Sequence, residues 1–225
     1  MNSFRLVLVA MAFVVSLRAG DIYGVVHAKG KLDGAGGGAS GNYQSHKFKF
    51  AETVNYGDMT DFVVYIEGKF PDAKPPTEIK RVVTQKDATF RPHVLPVMAG
   101  TQVEWPNEHE IYHNVFSISD SNPFDLGLYK KGQTPKPWTF ANPGKVDVFC
   151  SIHAKMYCIV LVLDNPYFAS TDRNGQYKIS NVPPGTYKIT SWHERMPRTT
   201  EEITVPATGK VEKNFLMEIK VPPKH

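Results

Sequence analysis

The chain has 225 residues, of which 41% are hydrophobic and 21% charged, and its net charge at pH 7 is +4. This near balance, without a run of Lys and Arg, argues against a nucleic-acid-binding protein. The 17 Gly and 17 Pro lie between short runs of Val, Ile, Tyr and Phe, which predicts an all-β protein. The length is sufficient for two β domains, each with its own core.

The N-terminus has the pattern of a secretory signal, predicted at residues 1–19. It contains Arg5, about twelve apolar residues and a small-residue end at Ala19, which is the expected cleavage site. Leu17 is larger than is preferred near such a site, so an uncleaved anchor is the alternative. We expect a periplasmic or secreted protein with no stable membrane insertion after signal removal. Cleavage lowers the Lys plus Arg count from 26 to 24 against 22 acids, a net charge of +2.

Two strands and a loop are predicted next. The stretch IYGVVHAKG after Asp21 and the stretch Asp61–Lys69 both have strand character. Between them, Gly30–Tyr43 is too rich in glycine to bury much apolar surface and is predicted to be a mobile loop. A phosphate-binding glycine loop is disfavoured because no helix pattern follows it.

The middle of the chain, residues 79–163, carries a metal-ligand pattern. Cys150, His153 and Met156 form a Cys-x2-His-x2-Met run between two β-branched stretches, and His113 lies upstream before the strand-like VFSIS. Two imidazoles, a thiolate and a weak axial thioether are the donors of one-electron copper sites. Asn114 is expected to join the two ligand segments through amide hydrogen bonds.

A disulfide is the alternative for the cysteines. In an exported protein, Cys150 and Cys158 could bridge across a tight loop. A thiolate that binds copper cannot take part in a disulfide, so the two interpretations exclude each other. In the copper interpretation, Cys158 is an inert, buried, small hydrophobe.

The stretch Phe90–Val162 resembles the cupredoxins along its whole length, in FRPHVLPVMAGTQVEWPN, HNVFS, NPGKVDVFCSIHAKM and IVLVL. The short ligand loop is similar to that of amicyanins, plastocyanins having a longer one, and the whole is similar to methylamine-utilisation cupredoxin proteins. The resemblance implies a Greek-key β-sandwich or barrel holding one Cu(I)/Cu(II) ion per chain. It places the metal ligands at His113, Cys150, His153 and Met156. Two positions depart from the family pattern, Ala154 in place of Pro and Cys158 in place of Gly.

The stretch after Asp164 resembles the transthyretin-like regulatory domain of carboxypeptidases, through TDRNGQYKISNVPPGTY. The first half of that pattern lies before the cupredoxin, at Gly24–Val26 and Val63–Gly68. The resemblance implies a discontinuous transthyretin-like β-sandwich of residues 21–78 and 164–221, with the cupredoxin, 79–163, inserted into it.

Four other titratable residues are not assigned as metal ligands. His93 is expected to be a solvated residue at a strand end, while His109 and Glu110 share the loop of His113. A carboxylate ligand would give a centre that is not blue. His193 is expected either near the copper loop or at a domain interface.

These observations favour an exported mononuclear type 1 copper protein that carries electrons between redox protein partners and is not an enzyme. A periplasmic copper storage or delivery protein is the alternative. An isourate hydrolase of transthyretin-like fold is disfavoured because its histidine signature and C-terminal tetrapeptide are absent. Electrons are expected to leave through the edge of His153, in an apolar patch with Met156, Phe124 and Leu126.

Overall fold

The computed structural model describes residues 19–29, 56–77, 81–133 and 135–218. Within these ranges the regular structure is β apart from one turn of 3-10 helix at Tyr56–Asp58, so the all-β prediction is confirmed. The predicted signal peptide falls almost entirely outside the described residues, and the predicted loop Gly30–Tyr43 falls wholly outside them. In the described part of the chain, no helix combines the length and apolar character needed to cross a bilayer.

The described residues form eighteen strands. In chain order they are β1 (Gly20–Lys29), β2 (Val63–Ile66), β3 (Arg81–Val82), β4 (Thr84–Lys86), β5 (Thr89–Arg91), β6 (Val94–Met98), β7 (Thr101–Glu104), β8 (His113–Ser117), β9 (Phe124–Tyr129), β10 (Trp138–Phe140), β11 (Gly144–Phe149), β12 (Tyr157–Leu163), β13 (Phe168–Ser170), β14 (Gln176–Val182), β15 (Gly185–His193), β16 (Met196–Val205), β17 (Lys210–Glu212) and β18 (Phe215–Glu218).

Strands β3 to β12 form one unit, which we name the central sandwich. Its five-stranded sheet has the order β6-β12-β11-β8-β9 and faces the three-stranded sheet β10-β7-β3, while β4 and β5 form a separate hairpin. Alternating apolar residues such as Val146 and Val148 point inward, as expected for strands buried on one face. Aromatic rings fill the space between the sheets, with Trp105 lying edge-on to Phe90.

Strands β1, β2 and β13 to β18 form a second unit, the flanking sandwich. One of its sheets has the order β14-β1-β17 with β18 also paired with β1, and the other has the order β13-β2-β15-β16. β1 runs parallel to β17 through Asp21–Tyr23 and parallel to β18 through Val26–Lys29. The segment that joins β17 to β18 packs against Gly24. A Cβ added at Gly24 would collide with the carbonyl oxygen of Lys213.

The two sandwiches meet through an apolar cluster on the outer face of β12. Its buried members are Val63, Val94, Ile159, Leu161, Leu163 and Trp192. Beside it, His93 Nε2 lies 2.7 Å from Glu194 Oε1 across the contact. His93 is thus partly solvated, with its side chain 35% exposed, because the hairpin that carries Glu194 packs over the start of β6.

Candidate metal centre

Three of the residues singled out from the sequence come together at one end of the central sandwich. His113 is the first residue of β8, Cys150 directly follows β11, and His153 lies in the turn between β11 and β12. The two Nδ1 atoms of the histidines are 3.1 Å apart, and Cys150 Sγ lies 3.8 Å from that of His153 and 4.0 Å from that of His113. Three donor atoms from two distant segments of the chain thus lie close together.

The turn that holds Cys150 and His153 is closed by its own backbone. The N–H of Cys150 donates to the carbonyl of Met156 at 3.3 Å, and the N–H of Met156 donates to the carbonyl of His153 at 2.9 Å. The pairing of β11 with β12 ends at Phe149 and Tyr157, so the turn begins where the ladder stops. The backbone that carries the side chains of Cys150 and His153 is therefore held in place by hydrogen bonds.

The spacing of the donor atoms fits a single metal ion. Two imidazole nitrogens about 2.0 Å from one ion are about 3.3 to 3.5 Å apart, and a thiolate about 2.3 Å from it is about 3.5 to 3.7 Å from each nitrogen. The observed separations of 3.1, 3.8 and 4.0 Å are each within about 0.3 Å of those ranges. One thiolate with two imidazoles is a soft donor set, which suits copper or zinc better than magnesium or calcium.

His113 is placed so that its ring remains neutral. The residue is fully buried, and this burial lowers the pKa of His113 below its ordinary value; the nearby rings of His153 and His109 lower that pKa further. Metals bind the neutral imidazole, so a proton competes weakly for this nitrogen.

Asn114 joins the two ligand segments, as predicted. Its Oδ1 accepts a hydrogen bond from the N–H of Ser151 at 3.3 Å, and its own N–H points at Cys150 Sγ from 3.5 Å. On the other side, its Nδ2 donates to Asp125 Oδ1 at 2.7 Å and to the carbonyl of Gly127 at 3.3 Å. β8, β9 and the Cys150 turn are thereby held together around one side chain.

Met156 is buried in the core of the central sandwich, in the same apolar cluster as Cys150. Its backbone closes the ligand turn. The assignment of its thioether as an axial ligand stays a prediction.

The disulfide alternative is wrong in this structure, because Cys150 and Cys158 are both free thiols. Cys158 lies in β12 opposite Val148 and is 1% exposed. Burial raises the pKa of Cys158 well above its ordinary value, with a smaller contribution from Asp147. A buried, protonated thiol is unreactive, as expected for Cys158.

The exposed surface beside the centre differs from the predicted patch. Phe124 and Met156 are buried, and Leu126 packs against the core, so these residues do not form an exposed surface. Ile152 in the ligand turn and the pair Ile111 and Tyr112 before His113 are about half exposed, at 50%, 49% and 48%. Their neighbours His153 and His113 are in ring contact, so the exposed apolar side chains belong to the metal end.

Of the other titratable residues singled out from the sequence, one contacts the metal centre and two do not. His109 Nδ1 lies 3.2 Å from His113 Nε2, a contact that its place in the same loop did not predict. Glu110 instead forms a surface ion pair with Lys131 at 2.8 Å. His193 is buried against Phe62 in the flanking sandwich, so it does not approach the metal centre.

Comparison with known proteins gives partial matches. Residues 163–213 match the family model described as polysaccharide lyase family 4, domain II, not a transthyretin-like model. The search of curated proteins found no match.

The solved structures to which the chain is similar include several copper proteins. A purple cupredoxin from Nitrosopumilus maritimus is 21% identical over 37% of this chain and 99% of its own, with a TM-score of 0.33. A Cu(I)-containing amicyanin variant is 23% identical over 44% of this chain and 97% of its own, with a TM-score of 0.35. A copper-containing nitrite reductase from Thermus scotoductus SA-01 is 26% identical over 44% of this chain, with a TM-score of 0.37, and this chain spans only 26% of its length. The chain as a whole is therefore similar to cupredoxin structures over less than half of its length.

Proposed function

We propose that this protein is a mononuclear type 1 copper protein that carries one electron at a time between redox protein partners. The observation that carries the proposal is the convergence of Cys150 Sγ with the Nδ1 atoms of His113 and His153, all within 4.8 Å of one another. One such cluster corresponds to one copper ion per chain, with Met156 as the weak fourth ligand.

The residues of this chain would hold the metal with little freedom to move. Copper, when bound, supplies the electron by cycling between Cu(II) and Cu(I). Cys150 and His153 are fixed by the closed turn, and Asn114 ties that turn to the strand of His113. A frame held in this way favours electron transfer because the ligand positions need not rearrange when the charge changes.

The edge of His153 is the proposed point of electron exit. His153 is only half-buried, whereas His113 is fully buried. Ile152, Ile111 and Tyr112 supply exposed apolar surface at the same end, which suits the small contacts of brief redox encounters. The partner in this proposal is another redox protein and not a nucleic acid.

We propose further that this protein is not an enzyme and that it is located outside the cytoplasm. With Cys150, His113, His153 and Met156 all used as ligands, no position remains for a substrate. The predicted signal at residues 1–19 supports export to the periplasm or beyond.

We also propose that residues 21–78 and 164–221 form one transthyretin-like domain into which the cupredoxin of residues 79–163 is inserted. The pairing of β1 with β14, β17 and β18, and of β2 with β13 and β15, supports this organisation.

Voltammetry of the copper-loaded protein with a competing Cu(I) chelator tests electron transport against copper delivery. We expect reversible one-electron cycling with the ion retained, because both histidines and the thiolate are held by hydrogen bonds or burial. Asn114→Ala is the matched variant, since it removes the link from Asn114 Oδ1 to Ser151 and should release copper faster. Rapid transfer of copper from the parent protein to the chelator upon reduction would instead establish a delivery function.

A further inference from the structure

We infer that His109 is a positioning residue for the metal centre, which accepts a hydrogen bond from His113 and thereby sets the tautomer and basicity of that ligand. The inference deepens the proposed function and rests on it for the role of His113 as a ligand. The contact between the two imidazole nitrogens is independent of any metal, whereas the direction of the hydrogen bond follows from the role of His113 as a ligand.

The geometry identifies the direction of the hydrogen bond. His113 turns Nδ1 towards Cys150 and His153, so a neutral ring that binds metal there must carry its proton on Nε2. His113 is 0% exposed, so bulk water does not reach that N–H. His109 Nδ1 lies 3.2 Å from His113 Nε2, the ring planes differ by 6° and the ring centroids are 5.5 Å apart. The centroid separation is that of two rings joined edge to edge through these nitrogens, which aligns the acceptor lone pair with the N–H.

The surroundings of His109 favour the tautomer that this role requires. Nδ1 accepts a hydrogen bond only if the proton of neutral His109 is on Nε2. Asp87, in the turn between β4 and β5, places Oδ1 4.0 Å from that Nε2. The negative charge of the carboxylate favours a proton on the facing nitrogen and leaves the lone pair of Nδ1 for His113.

The backbone of His109 is fixed through both its N–H and its carbonyl. Its N–H donates to Asn107 Oδ1 at 2.8 Å, and its carbonyl accepts from the N–H of Lys131 at 3.0 Å. Asn107 is itself buried, and its Nδ2 donates to the carbonyls of Ile111 at 3.1 Å and Tyr129 at 3.0 Å. Because the loop is tied to the end of β9 in this way, the ring of His109 has a defined place beside His113.

This hydrogen bond has two expected effects on a bound copper ion. It holds the ring of His113 in the orientation that presents Nδ1, and it makes that nitrogen a stronger donor. Loss of such an outer hydrogen bond reduces metal affinity by about 10- to 100-fold. A stronger imidazole donor stabilises Cu(II) more than Cu(I), so His109 should lower the reduction potential of the centre.

The experiment compares the parent protein with His109→Phe and His109→Asn. Phe has a ring of similar shape but no acceptor, whereas the Oδ1 of Asn lies near the place of His Nδ1 and accepts a hydrogen bond. Nitrogen-15 NMR of the metal-free proteins reports the tautomer of His113, and competition with a chelator followed by voltammetry reports copper affinity and potential.

We expect metal-free parent protein and His109→Asn to show His113 protonated on Nε2, and His109→Phe to show a mixture of tautomers. We expect His109→Phe to bind copper about 10- to 100-fold more weakly and at a higher potential, with both values restored in His109→Asn. An unchanged tautomer and affinity in His109→Phe would overturn the inference, as would equal losses in both variants, which would show that only the ring shape matters.

Asp87→Asn provides a second test that does not alter the buried site. The side chain of Asp87 is 65% exposed, and Asn tolerates the positive φ of 51° at this turn, so the variant should fold. We expect a smaller share of His109 protonated on Nε2, and an unchanged tautomer of His109 would contradict the role assigned to Asp87. If the tautomers respond as expected but no protein binds copper, the hydrogen bond stands and the proposed function fails.

Discussion

Cys150 is the side chain whose replacement tests the metal assignment most directly. In copper-loaded protein, Cys150→Ala should abolish the intense thiolate-to-copper absorption band, because only a sulfur bonded to copper gives this charge transfer. Cys158→Ala is the matched control and should keep the band, since Cys158 is buried within β12. Visible absorption spectra of the three proteins provide the measurement, and equal loss of the band in both variants would contradict the assignment.

His193 makes the stability of the metal-free protein depend on pH. Burial lowers the pKa of His193, and Glu194 opposes this only in part. The folded-state pKa is therefore below the unfolded value of about 6.5, so the unfolded chain binds more protons as the pH falls. The free energy of unfolding should decrease as the pH falls below about 6.5.

Urea unfolding at pH 7.5 and at pH 5.5 measures this decrease, which should be smaller in His193→Asn. The Oδ1 of Asn retains an acceptor for the N–H of Arg195, which His193 Nδ1 now accepts at 3.1 Å. An equal decrease in the parent and the variant would show that His193 does not contribute.

The contacts of individual histidines mark the limit of what could be predicted from the sequence. The Cys-x2-His spacing predicts that Cys150 and His153 share a turn, and the structure places their donor atoms 3.8 Å apart. The contact of His109 with His113 depends on the path of a loop held by Asn107, which no local pattern encodes. Likewise, the partner of His93 is Glu194, which lies 101 residues further along the chain.

At the scale of elements, Gly24 is required where the chain crosses between β17 and β18. Gly24→Ala should lower the free energy of unfolding by about 3 kcal/mol or more, because the new methyl group meets the backbone of Lys213 and not a movable side chain. Gly209→Ala is the comparison: its φ of +93° is strained for alanine, but nothing lies within 4 Å of the added carbon. That variant should lose only about 1 to 2 kcal/mol.

Chemical denaturation followed by circular dichroism measures both losses. A smaller loss in Gly24→Ala than in Gly209→Ala would mean that the β17–β18 crossing moves aside at little cost.

In the flanking sandwich, the turns can be predicted from the sequence more readily than the pairing of the strands. The Asp172–Gly175 turn follows from its residues, since Asp172 Oδ1 accepts from the N–H groups of Asn174 and Gln176, and Gly175 has a φ of +76°. The parallel pairing of β1 with β17 and β18 has no such local signal. It depends on contacts between residues almost the full length of the chain apart.

At the scale of the whole molecule, the proposed discontinuous domain predicts how fragments behave. A chain of Asp164–His225 alone lacks β1 and β2, the central strands of both sheets of the flanking sandwich. It should show no cooperative thermal transition, because each sheet would be divided and its apolar face exposed. Circular dichroism and the fluorescence of Trp192 report the transition, and the full chain is the control. Cooperative unfolding of the fragment would contradict the insertion.

The apolar contact on β12 predicts that the two sandwiches stabilise each other. Trp192 and Ile159 are both buried in this contact, at 8% and 0% exposure. Trp192→Ala should therefore lower the free energy of unfolding by about 3 to 5 kcal/mol. Urea unfolding of both proteins tests this, and a loss below 1 kcal/mol would show that Trp192 adds little to the contact.

The parallel pairing of β1 with β17 and β18 also has a consequence during synthesis. β1 leaves the ribosome well before its partner β18, which ends only at Glu218, about 190 residues later. At about 5 to 20 residues per second, the edge of β1 that pairs with β18 stays unpaired for roughly 10 to 40 s. The last strand of the central sandwich ends at Leu163, so this unit is synthesised completely before the flanking sandwich is. An unpaired strand of ten residues is prone to aggregate, so β1 needs shielding until β18 is released.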